Sequence, residues 1–82
     1  MKPYTLVGVD GNAFSIMAFV SRAMRRAGLS REEIDVYRAM ATSDDYDHLL
    51  YVSIEAIEKV NDELRKKGLI DEDYENYEED EY

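Results

Sequence analysis

From Ala13 to Ala27, apolar side chains recur every three or four residues. Phe14, Met17, Val20, Met24 and Ala27 make one stripe, and Ile16, Phe19 and Ala23 widen it. That period predicts an amphipathic helix, apolar nearly all round in its first two turns and therefore central in the core. Asp10 or Asn12 is placed to cap its start, and Gly28-Leu29 has the form of a left-handed stop with a hydrophobic contact back to the helix. Arg22, Arg25 and Arg26 fall in the last turns, where cations complement the helix dipole. Ser30-Arg31-Glu32-Glu33 then reads as a capping box. It opens a second helix through Ala41, with Ile34, Tyr37, Met40 and Ala41 facing inward.

Thr42-Ser43-Asp44-Asp45 interrupts the pattern and caps a third helix. Tyr46, Leu50, Ser53, Ile57, Val60 and Leu64 keep alternating four- and three-residue steps, flanked by Leu49 and Ile54. Glu55–Lys59, Asp62–Lys66 and Glu63–Lys67 are acid-before-base pairs four apart, worth roughly 0.2–0.5 kcal/mol each. Gly68-Leu69 repeats the stop seen at Gly28-Leu29. Unbroken from Asp44 to Lys67, this helix would run about 36 Å, and the overhang would favour packing against a partner. The competing reading makes His48–Ile54 a strand; the caps and the period favour the helix.

Ahead of the helices, Pro3-Tyr4-Thr5-Leu6-Val7-Gly8-Val9 is short, apolar and β-branched, and it ends at Asp10-Gly11-Asn12. It reads as one strand entering a turn. The expected fold is therefore mainly α with one N-terminal strand, in β-α-α-α order. A lone strand leaves its backbone groups unpaired, which argues for a homo-oligomer, a dimer first.

Charge divides the chain after Ile70. The 82 residues carry 19 acids and 10 bases, but residues 71–82 hold eight of the acids and none of the bases. Residues 1–70 are then nearly neutral and read as a globular domain, and 71–82 as an extended acidic strip with tyrosines at intervals. Within the strip Asp71, Glu72, Asp73, Tyr74, Tyr77, Glu78 and Glu79 are candidate contacts for a basic partner surface; the plainer role is to keep the protein in solution. Cysteine is absent, which excludes disulfides and thiolate metal sites. With neither an apolar run of spanning length nor a basic-then-apolar start, a soluble cytoplasmic setting with no membrane contact is expected.

Two loops are candidates for chemistry. In Gly8-Val9-Asp10-Gly11-Asn12-Ala13, N–H groups at a helix start could hold a phosphate or carboxylate. Neither GxxxxGK[ST] nor GxGxxG is present, and Asp10 would repel an anion. The alternative is a tight turn in which a glycine takes positive φ and Asp10 or Asn12 caps the helix. In Thr42-Ser43-Asp44-Asp45-Tyr46-Asp47-His48, seven polar or polar-tipped residues exceed what one cap needs. Asp44 and His48, four apart, would share a helix face as a histidine–carboxylate pair. One histidine with a few acids is a poor zinc site, and the EF-hand spacing fails, so no metal and no cofactor are expected. Ser43, His48 and Asp44 come from one helix start and cannot converge as nucleophile, base and orienter, so no catalytic residue is expected.

The strings Gly8-Val9-Asp10-Gly11-Asn12-Ala13-Phe14, Ala27-Gly28-Leu29-Ser30 and Ala41-Thr42-Ser43-Asp44-Asp45-Tyr46-Asp47-His48-Leu49-Leu50 resemble a family of short uncharacterised proteins of bacteriophages and bacterial mobile elements. The resemblance covers residues 6–58. It implies a setting, in which small proteins bind a host protein or sequester a nucleotide signal, and no activity or site residue.

Three functional expectations follow. The first is a non-catalytic interaction module that engages a host or regulatory protein. The second is a sponge for a nucleotide-like small molecule, with Asp10, Gly11, Asn12, Thr42, Ser43, Asp44, Tyr46 and His48 around a shared pocket and Arg22, Arg25 or Arg26 of a second protomer adding charge. The third is a DNA mimic, which the near-neutral body disfavours. Direct nucleic-acid binding is disfavoured too, because the basic runs sit at helix ends where the dipole accounts for them.

Overall fold

Asn12 opens helix α1 (Ala13–Arg26): its side chain accepts a hydrogen bond from the Phe14 N–H at 2.8 Å. Ser30 and Glu33 form the reciprocal capping box of α2 (Arg31–Ala41), and Asp45 caps α3 (Tyr46–Lys66) by accepting from the His48 N–H at 2.9 Å. Both Gly-Leu stops are present. Gly28 and Gly68 have φ of 86° and 74°, and the following leucines donate back to Met24 O at 3.0 Å and Leu64 O at 2.9 Å. This computed structural model describes residues 1–70, so the candidate contacts Asp71, Glu72, Asp73, Tyr74, Tyr77, Glu78 and Glu79 lie outside the described residues.

Contacts at the helix ends give the topology. Tyr46 reaches Gly11 at the starts of α3 and α1, and Lys67 Nζ meets Ala27 O at their ends, so these two helices run parallel. Glu33–Lys59 and Tyr37–Ser53 pair the beginning of α2 with later residues of α3, so α2 runs antiparallel. The core between them is Ile16, Met17, Val20, Ala23, Met24 and Ala27 of the first helical segment, Ile34, Tyr37 and Ala41 of α2, and Leu49, Val52, Ile57, Val60 and Leu64 of α3, closed at the base by Ile70.

No strand forms among the described residues, which corrects the β-α-α-α expectation. Residues 1–5 instead run as a strap along α3, antiparallel to it, and Leu6–Val9 close a turn in which the Val9 N–H donates to Leu6 O at 3.1 Å and Gly8 takes a φ of 85°. Met1 N donates to Leu69 O at 3.0 Å, the Tyr4 ring meets Phe19 edge-on at 5.9 Å, and Leu6 and Val7 lie beside Ile54 and Ile57. What stands in for a second strand is a side chain. Asn61 accepts from the Tyr4 N–H at 2.8 Å and donates to the Tyr4 carbonyl at 2.9 Å, which satisfies both backbone groups. The unpaired-strand argument for a second copy therefore lapses.

The overhang argument lapses with it. With 21 residues, α3 is about 32 Å long, inside the 40 Å long dimension of the body. His48–Ile54 is helical throughout. Four positions of the expected apolar stripes face out: Phe14 is 76 % exposed, Ile54 50 %, Met40 49 % and Tyr46 45 %. Phe14 and Tyr46 belong to first turns at the open end of the bundle, and Met40 lies on the groove between α2 and α3. No helix of the described residues is long and apolar enough to cross a membrane.

Candidate functional site

The two polar loops do converge. The Tyr46 hydroxyl donates to the Gly11 carbonyl at 2.5 Å, which ties the start of α3 to the turn before α1. Beside this tie lies a cavity of about 300 Å³ lined by Ala13, Phe14, Met17, Ala41, Thr42, Asp44, Asp45, Tyr46 and Leu49. Its walls are mostly apolar, and its charged groups are carboxylates.

Most of the polar side chains there serve the helix ends. Asp10 accepts from the Asn12 N–H at 3.3 Å and from the Ser15 hydroxyl at 3.2 Å, and Asn12 caps α1. Thr42 Oγ1 donates to Arg38 O at 2.8 Å, and Ser43 Oγ donates to Met40 O at 2.8 Å. His48 Nε2 faces the same Met40 carbonyl at 3.0 Å and Ser43 Oγ at 3.3 Å, so that nitrogen carries the proton. Asp44 does not pair with His48; its Oδ1 accepts from the Asp45 N–H at 2.8 Å. The length of the polar string is thereby explained. One segment satisfies the last carbonyls of α2 and the first N–H groups of α3. Ser43 Oγ and His48 Nε2 lie 3.3 Å apart, and both are turned to the Met40 carbonyl, which takes the Ser43 hydroxyl proton. Among the described residues no group of three or more His, Asp or Glu side chains is placed to hold a metal ion.

A different surface carries exposed apolar side chains beside a groove, and sequence reasoning did not find it. Between α2 and α3 runs an apolar groove of about 410 Å³. Met24, Tyr37, Val52 and Ala56 line it together with Val36 and Met40, and these last two side chains are 58 % and 49 % exposed. Glu32, Glu33 and Glu55 stand with Lys59 around it. Lys59 is already held by Glu33 at 3.0 Å, so the rim is negative. The Ser30 backbone N–H, then Lys59, hold the Glu33 carboxyl below the usual carboxylate range, which keeps that rim charged. The floor is fixed by Tyr37, whose hydroxyl meets Ser53 Oγ at 2.6 Å inside the core. The signal in the sequence was the spacing Glu32-Val36-Met40, an i, i+4 row outside the buried one, with Val36 assigned to neither face.

No family model, curated protein or solved structure matches the chain.

Proposed function

We propose that this chain is a non-catalytic protein-binding module whose α2/α3 groove takes a basic amphipathic helix from a partner protein. The observation that carries the reading is the acid-rimmed apolar groove with Val36 and Met40 at its mouth. Two antiparallel helices leave a channel into which the apolar face of a third helix fits, with anchors at i, i+3, i+4 and i+7. Lysines or arginines flanking those anchors meet Glu32, Glu33 and Glu55, which steers the encounter and fixes orientation. A setting among bacteriophages and mobile elements, where small proteins bind host proteins, accords with this reading. A dye-labelled amphipathic Leu/Lys helix tests it by fluorescence anisotropy. Saturable binding, weakened by salt and by Val36→Glu or Met40→Glu, is the expected result; no binding, or binding indifferent to both substitutions, overturns it.

A second reading rests on the Tyr46–Gly11 tie, which brings the two loops to one cavity. A nucleotide-like ligand there would stack on Tyr46 but bring its phosphates toward Asp44 and Asp45, so this reading ranks below the first. In a thermal-shift panel of nucleotides, a true ligand at 100 times its Kd would add about 2.7 kcal/mol of stability. A flat panel removes this reading and leaves the first intact.

A further inference from the structure

Helices α1 and α2 carry five exposed arginines: Arg22, Arg25 and Arg26 of α1, and Arg31 and Arg38 of α2. The ion pairs Lys59–Glu33, Lys66–Asp62 and Lys66–Glu63 use none of these arginines. Helix α1 contains no acid at all. The helix dipole accounts for Arg25, Arg26 and Arg38, which lie in last turns. It does not account for Arg31, the first residue of α2, where the dipole disfavours a cation. Arg25, Arg31 and Arg38 line a cleft of about 520 Å³ with Leu29, Ile34 and one carboxylate, Asp35. Arg38 is anchored there, its Nη1–H donating to the buried Ser21 hydroxyl at 3.3 Å.

The chain leaves its described part beside this face. Lys67 Nζ bonds Ala27 O, which sets the end of α3 against the end of α1, and Ile70 is buried just beyond. Arg25 and Arg26 end α1, and Arg31 begins α2 three residues after Gly28, at that same end of the bundle. Twelve residues follow, with eight carboxylates and no cation. At roughly 3.3 Å per residue they reach at most about 40 Å, which matches the 40 Å long dimension of the body.

We propose that the arginine face of α1 and α2 is a binding site for a carboxylate-rich peptide, and that its occupant is residues 71–82 of the same chain. Guanidinium groups take carboxylates in bidentate pairs, and they stack on rings of the kind Tyr74 and Tyr77 supply. Covalent attachment gives the segment an effective concentration in the millimolar range, so weak individual pairs suffice. The contact is independent of what the α2/α3 groove binds.

The test uses the full chain, which has no native cysteine, so Tyr82→Cys gives a single site for a nitroxide label. At low salt, the amide signals of Arg22–Arg38 are expected to broaden at least about threefold more than those of Glu55–Asp62. That difference is expected to vanish at about 0.5 M salt, where the Debye length falls to a few ångströms. It is also expected to vanish when Arg25→Glu and Arg31→Glu are introduced together, both being exposed positions that leave the core intact. Broadening centred on another face, uniform broadening, or insensitivity to salt and to the arginines overturns the proposal. So does broadening of an isotope-labelled, spin-free chain mixed with unlabelled spin-bearing chain, because the occupant would then come from a second copy.

Discussion

Asn61 does for Tyr4 what a neighbouring strand would do: its carboxamide accepts from the Tyr4 N–H at 2.8 Å and donates to the Tyr4 carbonyl at 2.9 Å. Asn61 is 8 % exposed, in the middle of a helix where asparagine has no intrinsic advantage. Asn61→Leu fills the volume but leaves both Tyr4 groups without their partner. A loss of about 1–3 kcal/mol of stability is expected, read by denaturant titration, with faster hydrogen exchange at the Tyr4 amide than at α2 amides. Unchanged exchange at Tyr4 would mean that the strap is held mainly by Leu6 and the Tyr4–Phe19 contact.

Two tyrosines in the same core should respond oppositely to loss of the hydroxyl. Tyr37 Oη is bonded to Ser53 at 2.6 Å, whereas Tyr4 Oη is buried and makes no hydrogen bond among the described residues. Tyr37→Phe is expected to cost about 1 kcal/mol, and Tyr4→Phe to be neutral or stabilising, because an unmade buried bond carries only its desolvation penalty. Thermal unfolding of the two variants side by side checks the contrast.

Burial pushes the Tyr37 phenol above its usual value, against the smaller opposing effects of Ser53 and Arg38. A raised folded-state value means that the unfolded chain loses this proton first as the solution turns alkaline. The stability that Tyr37 contributes is present below about pH 10 and falls as pH rises beyond it. At the acid end Glu33 acts with the opposite sign. Its lowered carboxyl contributes stability above about pH 4.5, which is lost as pH falls through the folded value. Tyr37→Phe should flatten the alkaline limb of a stability–pH curve, and Glu33→Gln part of the acid limb. Neither should move the other limb.

Gly28 and Gly68 share the left-handed conformation, at φ 86° and 74°, yet only Gly28 has a neighbour in the way. A Cβ at residue 28 would stand 2.5 Å from Lys67 Nζ, the group that bonds Ala27 O; at residue 68 it meets open space. Both alanine variants pay a left-handed penalty of about 1–2 kcal/mol. Gly28→Ala should cost more, by whatever the Lys67–Ala27 bond contributes, and introducing Lys67→Met into both alanine variants should narrow the gap. Equal melting temperatures for the two alanine variants would show that this lysine contributes nothing.

The helices were legible because their signals are local. Asn12, the Ser30–Glu33 box and the two Gly-Leu stops act within five residues and appear as read, while the cap of α3 falls on Asp45, the last residue of the capping segment, and not on Ser43 or Asp44. The strap was misread because its partner lies 57 residues away and is a side chain, so nothing around Tyr4 tells an amide partner from a strand. The polar string Thr42–His48 was over-read as a ligand surface for a similar reason: two helix ends in tandem use up hydroxyl, carboxylate and imidazole together. That the two polar loops touch could not be seen, since the Tyr46–Gly11 bond depends on α1 and α3 being parallel. The groove was missed because Val36 and Met40 count as apolar whether they face the core or a channel beside it.

The most direct measurement concerns that channel. The isotope-labelled 82-residue chain is titrated with a basic amphipathic helix and, in parallel, with the same helix bearing glutamates in place of its lysines. The basic helix is expected to shift the amide and methyl signals of Val36, Met40, Val52 and Ala56 in a saturable, salt-weakened manner, with at least about a tenfold loss of affinity, equivalent to 1.4 kcal/mol, in Met40→Glu. The acidic helix should leave them where they are. Shifts spread over the whole surface, or equal responses to both peptides, would contradict the reading of the α2/α3 groove as a site for a basic helix.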